Sequence, residues 1–594
     1  MRPGAHYKKG KGCLFRVWAP EKEAVELVLS GRGGPRVVPM KKDESGYFEV
    51  MVKGALPGQK YMYSVEGAEP RPDPASFYQP GGVHGASEVI DHSAFKWSDR
   101  GFKGIKTADM VIYELHAGVF TGKGTFEAAA GRIKHLKDMG INAVEVMPVA
   151  QFPGARNWGY DGAYLYAVQN TYGGTEGLKS FVNECHKNKI AVILDVVYNH
   201  LGPEGNYTGV YGPYFTSAYK TPWGDAVNYD GAWSGGVRDY IIENALYWLD
   251  EFHIDGLRLD AVHAIFDFSA KHILAEIKER VCDYAAKTGR IINVIAESDL
   301  NDSRIVRPVK QGGYGLDAQW ADDFHHSLHS VLTGEKSGYY TDFGGTAQLV
   351  KVLRSPFVYD GIYSCFRKRR HGNSAVNIPA CRFTVFSQNH DQTGNRAHGG
   401  RLISLAGEKK AKLAAAFTLM SPYVPLLFMG EEYGEAAPFL YFTSHNDEAL
   451  IRGVREGRKK EFEGFMGALE PPDPQAEETF NKSKLSWNIE ESGKKREMAA
   501  YYRELIKIRR EAGCCRASYS TEENRGVIRV EIKNKTGVYC CVYNFGGSDR
   551  DAALPRGRWD VLLYSYGEGA GAKAAGRKIK ISPYTAVILR RRKA

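Results

Sequence analysis

The sequence has no apolar run of the roughly twenty residues that a bilayer-crossing helix takes. Its opening, MRPGAHYKKGKGC, lacks the apolar centre of a secretion signal. Cysteine is scarce: nine in 594 residues, an odd number with no C-x-x-C pair. That excludes a disulfide framework and a cysteine zinc site, and suits a reducing cytoplasm with free thiols. There is no H-x-H, no H-E-x-x-H, no internal repeat and no low-complexity tract. The net charge of +10 would suit nucleic acid, but no base-reading motif accompanies it. Part of it lies in scattered surface-type clusters and in the end RRRKA. Neither a nucleic-acid nor a membrane partner is expected.

What is present reads as a globular protein of three or four domains, 43% hydrophobic and 25% charged. Aromatic residues make up 12%, many of them in Gly-rich loops. Sugar rings have apolar faces that pack on aromatic rings, so this suits a carbohydrate site; it also suits ordinary core packing. Residues 1–100 alternate as short strands (LFRVWAP, AVELVLS, YFEVMV, YMYSVEG) and read as a β-sandwich. The Pro- and Gly-rich stretch EPRPDPASFYQPGGVHGAS reads as the linker out of it.

From residue 110 near-continuous apolar strands alternate with helical patterns. The strands fall at 110–116, 141–149, 190–197, 254–261, 291–298, 316–320, 382–391 and 424–432. Eight such units predict a parallel (β/α)8 barrel over 101–512. Two stretches exceed simple connections: the aromatic excursion 201–236 and the charged stretch 433–490. Long loops in a compact domain tend to be functional. The helix EMAAYYRELIKIRREA closes the barrel, and 513–594 forms a C-terminal β-domain.

Within the strand GLRLDAVH, Arg258 and Asp260 are two apart and share a face. On a buried strand a charge is costly unless paired, so a structural ion pair is the plain explanation. The other strand ends argue otherwise. The third strand delivers Asp195, with Asn199 and His200 just beyond; the fourth Arg258, Asp260 and His263; the fifth Glu297; the seventh His390 and Asp391. Barrel active sites sit at these ends. One ion pair does not explain four strands.

Three carboxylates with no reactive cysteine and no Ser-x-x-Gly elbow argue against acyl transfer. Asp, Glu and His also bind metals, but an arginine beside the central aspartate repels a cation. Neither a metal nor a cofactor is expected. Arg258 favours the ionised form of Asp260, as a nucleophile requires. Glu297 follows the apolar run VIA and is placed to keep a proton, as a general acid must. One ionised and one protonated carboxyl is the retaining glycosidase arrangement, with a separation of roughly 5–5.5 Å. Asp391 would be a third acid that binds the sugar and supports the transition state.

DVVYNH (195–200), GLRLDAVH (256–263), AESD (296–299) and QNHDQ (388–392) resemble the four conserved regions of the α-amylase superfamily of glycoside hydrolases. NWGYDG, RLDAVHAI, AESDLND, WADDFHHSLH, QNHDQTGNR and MGEEYGEAAPFLYF resemble the maltooligosyltrehalose trehalohydrolase family over almost the full length. The resemblance implies hydrolysis of the α-1,4 bond next to a terminal trehalose unit, and a functional pairing with a maltooligosyltrehalose synthase. It implies Asp260 as nucleophile, Glu297 as proton donor and Asp391 as transition-state stabiliser. Tyr160 would stack on the sugar being cleaved, with Asp161 beside it. His200, Arg258 and His390 would bond its hydroxyls or Asp260. His263, Asp322, His325, His326, Gln392, Thr393 and Asn395 would line the neighbouring sites.

Plainer roles stand beside these. Asp322 and Asp323 would suit a helix N-terminus. His325 and His326 are adjacent, so one of them is expected to be structural. Asn199 resembles an amylase calcium ligand, but no acid-rich loop completes that site. A branching enzyme is the nearest alternative function, then a debranching enzyme, then a catalytically dead glycan-binding protein of the same fold. Intact Asp260, Glu297 and Asp391 argue against the last.

Overall fold

The computed structural model describes residues 2–31, 33–463, 470–566, 573–574 and 578–592. Eight parallel strands close into a barrel: β1 (Ile112–Leu115), β2 (Ala143–Val146), β3 (Ala191–Val196), β4 (Gly256–Leu259), β5 (Asn293–Ala296), β6 (Ala318–Trp320), β7 (Phe383–Phe386) and β8 (Val424–Phe428). Every residue of β1 to β5 is buried, which is why these segments read as near-continuous apolar runs. Inside the ring, Ala143, Ala191, Ile193, Ile295, Ala318, Trp320 and Phe386 pack as a core of their own. The β3–β4 register sets Asp195 beside Arg258.

The fold class expected from the sequence is present: a parallel barrel, an N-terminal β-sandwich and a C-terminal β-domain. The sandwich is two four-stranded antiparallel sheets. Among the described residues the C-terminal sheet has six strands, with a separate pair beside it. The stretch 69–87 does more than connect. Asp73, Ser76 and Gln79 within it are fully buried. The hydroxyls of Tyr211 and Tyr240 donate to the carbonyls of Pro72 and Pro74, both at 2.8 Å.

One detail differs from the sequence reading, and two add to it. The seventh strand stops at Phe386, and His390 and Asp391 open a short helix, His390–Gly394, capped by the Asn389 side chain on Gln392 N–H. The excursion 201–236 carries a short helix, Thr208–Tyr211, and a hairpin, Phe215–Thr221 with Gly224–Val227. The insertion 433–490 carries a 16-residue helix, Glu448–Glu463, and its residues 464–469 lie outside the described ones. Of the basic end RRRKA, Lys593 and Ala594 also lie outside them. Among the described residues no helix is long and apolar enough to cross a membrane.

Candidate active site

β4 ends at Leu259, and Asp260 follows at the barrel's C-terminal rim. The backbone then turns through Ala261 at φ 39°, a left-handed conformation that a non-glycine residue adopts at a cost of order 1–3 kcal/mol. The turn aims Ala261 N–H at the Glu297 carboxylate and Val262 N–H at the Glu297 carbonyl, 3.0 Å away. Local strain thus ties the end of β4 to the end of β5.

Arg258 is wholly buried and organises the floor. Its Nη1 donates to both Asp195 oxygens, at 2.9 and 2.8 Å, and to Asp260 Oδ1 at 2.8 Å. Its Nη2 lies 3.9 Å from Glu297 Oε2. The guanidinium rests on the Trp320 ring, 4.3 Å from its centre. One cation therefore faces three carboxyl groups, more than a structural ion pair needs. Asp260 is fixed from its other side by the Asn199 amide, which donates to Oδ2 at 2.7 Å and to the backbone carbonyl at 2.9 Å. Asn199 thus faces the acid; among the described residues no group of three or more His, Cys, Asp or Glu could hold a metal ion.

A second chain of contacts closes the floor. Glu114 of β1 accepts from His390 Nδ1 at 2.6 Å and from His390 N–H at 2.9 Å. Burial works against a charged His390, but Glu114 and Asp391 outweigh it and push the imidazole up to about 9. The imidazolium Nε2 then donates to Tyr160 Oη at 2.8 Å, and Tyr160 donates to Asp195 at 2.7 Å. Burial raises the Glu297 carboxyl above the ordinary glutamate range; Arg258 opposes this, and Asp260 and Asp391 add to it. Glu297 is thereby disposed to hold a proton.

A cavity of about 690 Å³ opens at this rim. Of the residues singled out from the sequence, Glu297, Asp391, His263, Asp322, His326, Gln392 and Asn395 are on its wall. Asp260 is held back on Arg258 and Asn199, its side chain 12% exposed. His200 bonds the Tyr160 carbonyl at 2.9 Å and stacks on Trp223 with ring centres 4.3 Å apart. Asp161 is bound to Asn157 at 2.6 Å and faces His445 at 3.7 Å. Both nitrogens of His325 are taken, by Ser387 O and Tyr340 Oη, so of the adjacent pair it is the inner one. Thr393 is buried, with its hydroxyl unpartnered. Asp323 gathers the N–H groups of Val358 and Tyr359 and the Asn301 amide. Asp322 and Asp323 do stand at a helix N-terminus, in its first turn, although the N-cap position itself is Ala321.

Glu114, Trp320 and the wall residues Asp299, Glu335, Tyr339, Phe366, Arg367 and Arg396 join the site without having been expected there from the sequence. Glu114 had a signal: a lone acid in the apolar strand MVIYELH. The wall pairs Arg367–Asp299 and Arg396–Glu335 join residues 68 and 61 positions apart and had none.

Comparison with known proteins fits this geometry. The family described as the catalytic domain of alpha amylase matches residues 93–218, and carbohydrate-binding module 48, the isoamylase N-terminal domain, matches residues 3–79. A pullulanase from Anoxybacillus sp. LM18-11, solved with maltotetraose, shares the fold at TM-score 0.74 and 18% identity, over 99% of this chain and 87% of that one. This chain is a glycoside hydrolase of the α-amylase superfamily. Malto-oligosyltrehalose trehalohydrolase of Saccharolobus solfataricus is 50% identical over 89% of this chain and 91% of its own length. That of Rhizobium sp. is 42% identical over 97% of both. The chain belongs to the malto-oligosyltrehalose trehalohydrolase family. A 1,4-alpha-glucan branching enzyme of Pseudoalteromonas atlantica is more distant, at 28% identity over 73% of this chain and 62% of its own.

Proposed function

We propose that the protein hydrolyses the α-1,4 bond next to the terminal trehalose unit of maltooligosyltrehalose, releasing trehalose and a maltooligosaccharide. The observation that carries this is Arg258 set between Asp260 and Glu297, in a chain half identical to a malto-oligosyltrehalose trehalohydrolase. In the proposed cycle the Asp260 carboxylate attacks the anomeric carbon as Glu297 passes its proton to the departing trehalose oxygen. Glu297 then takes a proton from water, which displaces Asp260 with net retention. Asp391 stabilises the positively charged transition state. Arg258 and Asn199 keep Asp260 aimed, and Tyr160, stacked on His390 with ring centres 5.3 Å apart, offers its face to the sugar. His200, His263, Asp322, His326, Gln392 and Asn395 bind the substrate around them.

The reaction needs a partner enzyme that makes the terminal 1,1 linkage, so a synthase of maltooligosyltrehalose supplies the substrate. Nine unpaired cysteines suit a cytoplasmic setting. Incubation with maltooligosyltrehalose should release trehalose, with the maltooligosaccharide first appearing as the α anomer by NMR. A first-formed β anomer would mean inversion. New 1,6 branches with no trehalose would make the protein a branching enzyme.

A further inference from the structure

The helix Glu448–Glu463 lies outside the barrel's own βα units, yet Glu461 and Phe462 on it reach the cavity wall. Between this wall and the helix body stands Arg458, with its side chain 11% exposed. Its guanidinium is held between two rings, 4.9 Å from the centre of Tyr441 and 4.8 Å from that of Phe462. A planar guanidinium so stacked keeps one orientation, and its N–H groups point in fixed directions. Nη2 donates to the Gly394 carbonyl at 3.2 Å, and Nη1 to Glu461 at 2.9 Å and to Asn395 Oδ1 at 3.4 Å. The other end of that same Asn395 amide, Nδ2, donates to Asp391 Oδ1 at 3.3 Å. An amide whose oxygen accepts from Arg458 must present its NH2 to Asp391, since the two ends of the group differ in kind.

A parallel route runs through rings. Tyr441 packs edge-on to Trp158 at 5.1 Å, and Trp158 packs edge-on to His390 at 5.8 Å. Gly394 is pressed against Trp158: a Cβ there would lie 2.2 Å from the ring. The turn His390–Gly394 that carries Asp391 is therefore held on one side by the barrel, through Glu114, and on the other by the insertion. Among the described residues the Asp391 side chain has little else: it is 38% exposed, and His390 Nε2 is 3.4 Å away.

We propose that Arg458 is a positioning residue, fixing the Asn395 amide and through it the Asp391 carboxyl from a helix outside the barrel. The inference rests on the role given to Asp391 above. It assigns the charged insertion a task in the reaction: the helix sets the carboxyl that meets the transition state, as well as walling the cleft. Misplacing a reacting group by about an ångström can cost as much as a hundredfold in rate.

The test is a double-mutant cycle in the full-length enzyme, read as kcat and KM on maltooligosyltrehalose. Arg458→Ala should lower kcat roughly ten- to hundredfold, with KM within about threefold of wild type. Arg458→Lys, which keeps the charge but not the fork, should recover part of that loss. Asn395→Ala should cost a similar factor, and the double variant little more than either single one. Thermal melting of each variant reports folding separately. Losses that multiply in the double variant, or a lysine variant no better than alanine, would overturn the proposal. So would a kcat loss that merely follows a lowered melting temperature. If the wild type released no trehalose, the proposed substrate would fail by itself; the cycle would then be read on whichever α-1,4-glucan the wild type cleaves.

Discussion

Asp260→Asn keeps the volume of the side chain and removes its capacity to form a glycosyl ester. The single amide oxygen can accept from Arg258 Nη1 or from the Asn199 amide but not from both. Arg258 keeps its bonds to Asp195 and Asn199 its bond to the backbone carbonyl of residue 260, so the floor should stay largely assembled. Turnover of maltooligosyltrehalose is expected to fall at least about a thousandfold, with substrate affinity by calorimetry changed little. Near-normal turnover in the folded variant would remove Asp260 as nucleophile. As the proposed proton donor, Glu297 should carry the pH dependence. It acts only while protonated, so kcat/KM must fall as pH rises through its pKa. Burial raises that value, with Asp260 and Asp391 adding to it, so the falling limb should lie above the ordinary glutamate value of about 4.3. A pH profile of kcat/KM falling at the ordinary value would show that the proton donor is another group.

At the scale of elements, specificity for a trehalose end is expected to come from the loops and insertions at the rim. Trehalose is linked 1,1 and bent, whereas the last two glucoses of a linear chain lie flatter. A pocket that closes around the bend leaves polar groups unpaired when a linear chain enters, at a cost of several kcal/mol. On the wall Asp322, after β6, faces the cavity, while the Asp299–Arg367 and Glu335–Arg396 pairs, from the segments after β5, β6 and β7, satisfy each other and give the wall its shape and charge. Maltooligosyltrehalose is expected to be cleaved at least about a hundredfold faster, by kcat/KM, than a linear chain of equal length, roughly 2.7 kcal/mol in the barrier. Equal rates would make the protein a general α-glucan hydrolase. The elements themselves were legible to different degrees. The eight strands were readable because burial on both faces leaves an apolar run. The end of the seventh was not: SQNHD continues an extended-looking run, but the Asn389 side chain caps a helix there.

At the scale of the molecule the sandwich and the barrel share one packed seam. Trp18, on a sandwich strand, meets Tyr214 of the barrel excursion edge-on at 5.3 Å. Gly236 is close enough that a Cβ there would fall 2.0 Å from the indole. With Trp18 only 3% exposed, Trp18→Ala should cost about 3–5 kcal/mol. Because the seam joins both parts, calorimetry should show the barrel's unfolding shift together with the sandwich's. A barrel transition that stays in place while the sandwich's moves would show that the two fold independently.

The barrel, the flanking β-domains and the rim positions of Asp195, Arg258, Asp260 and Glu297 are legible in the order of residues alone. Strand periodicity and burial are local properties, and a parallel barrel brings all its strand ends to one face. That order also carries the family, because those residues stand in contiguous motifs. Packing in three dimensions settles which of His325 and His326 meets the cavity, that Asp161 turns toward Asn157 and His445, and that Glu114 holds His390. The same is true of Arg458, which reaches Asn395 across 63 residues of chain. Such contacts depend on where a loop returns in space, and no spacing within the chain encodes that distance.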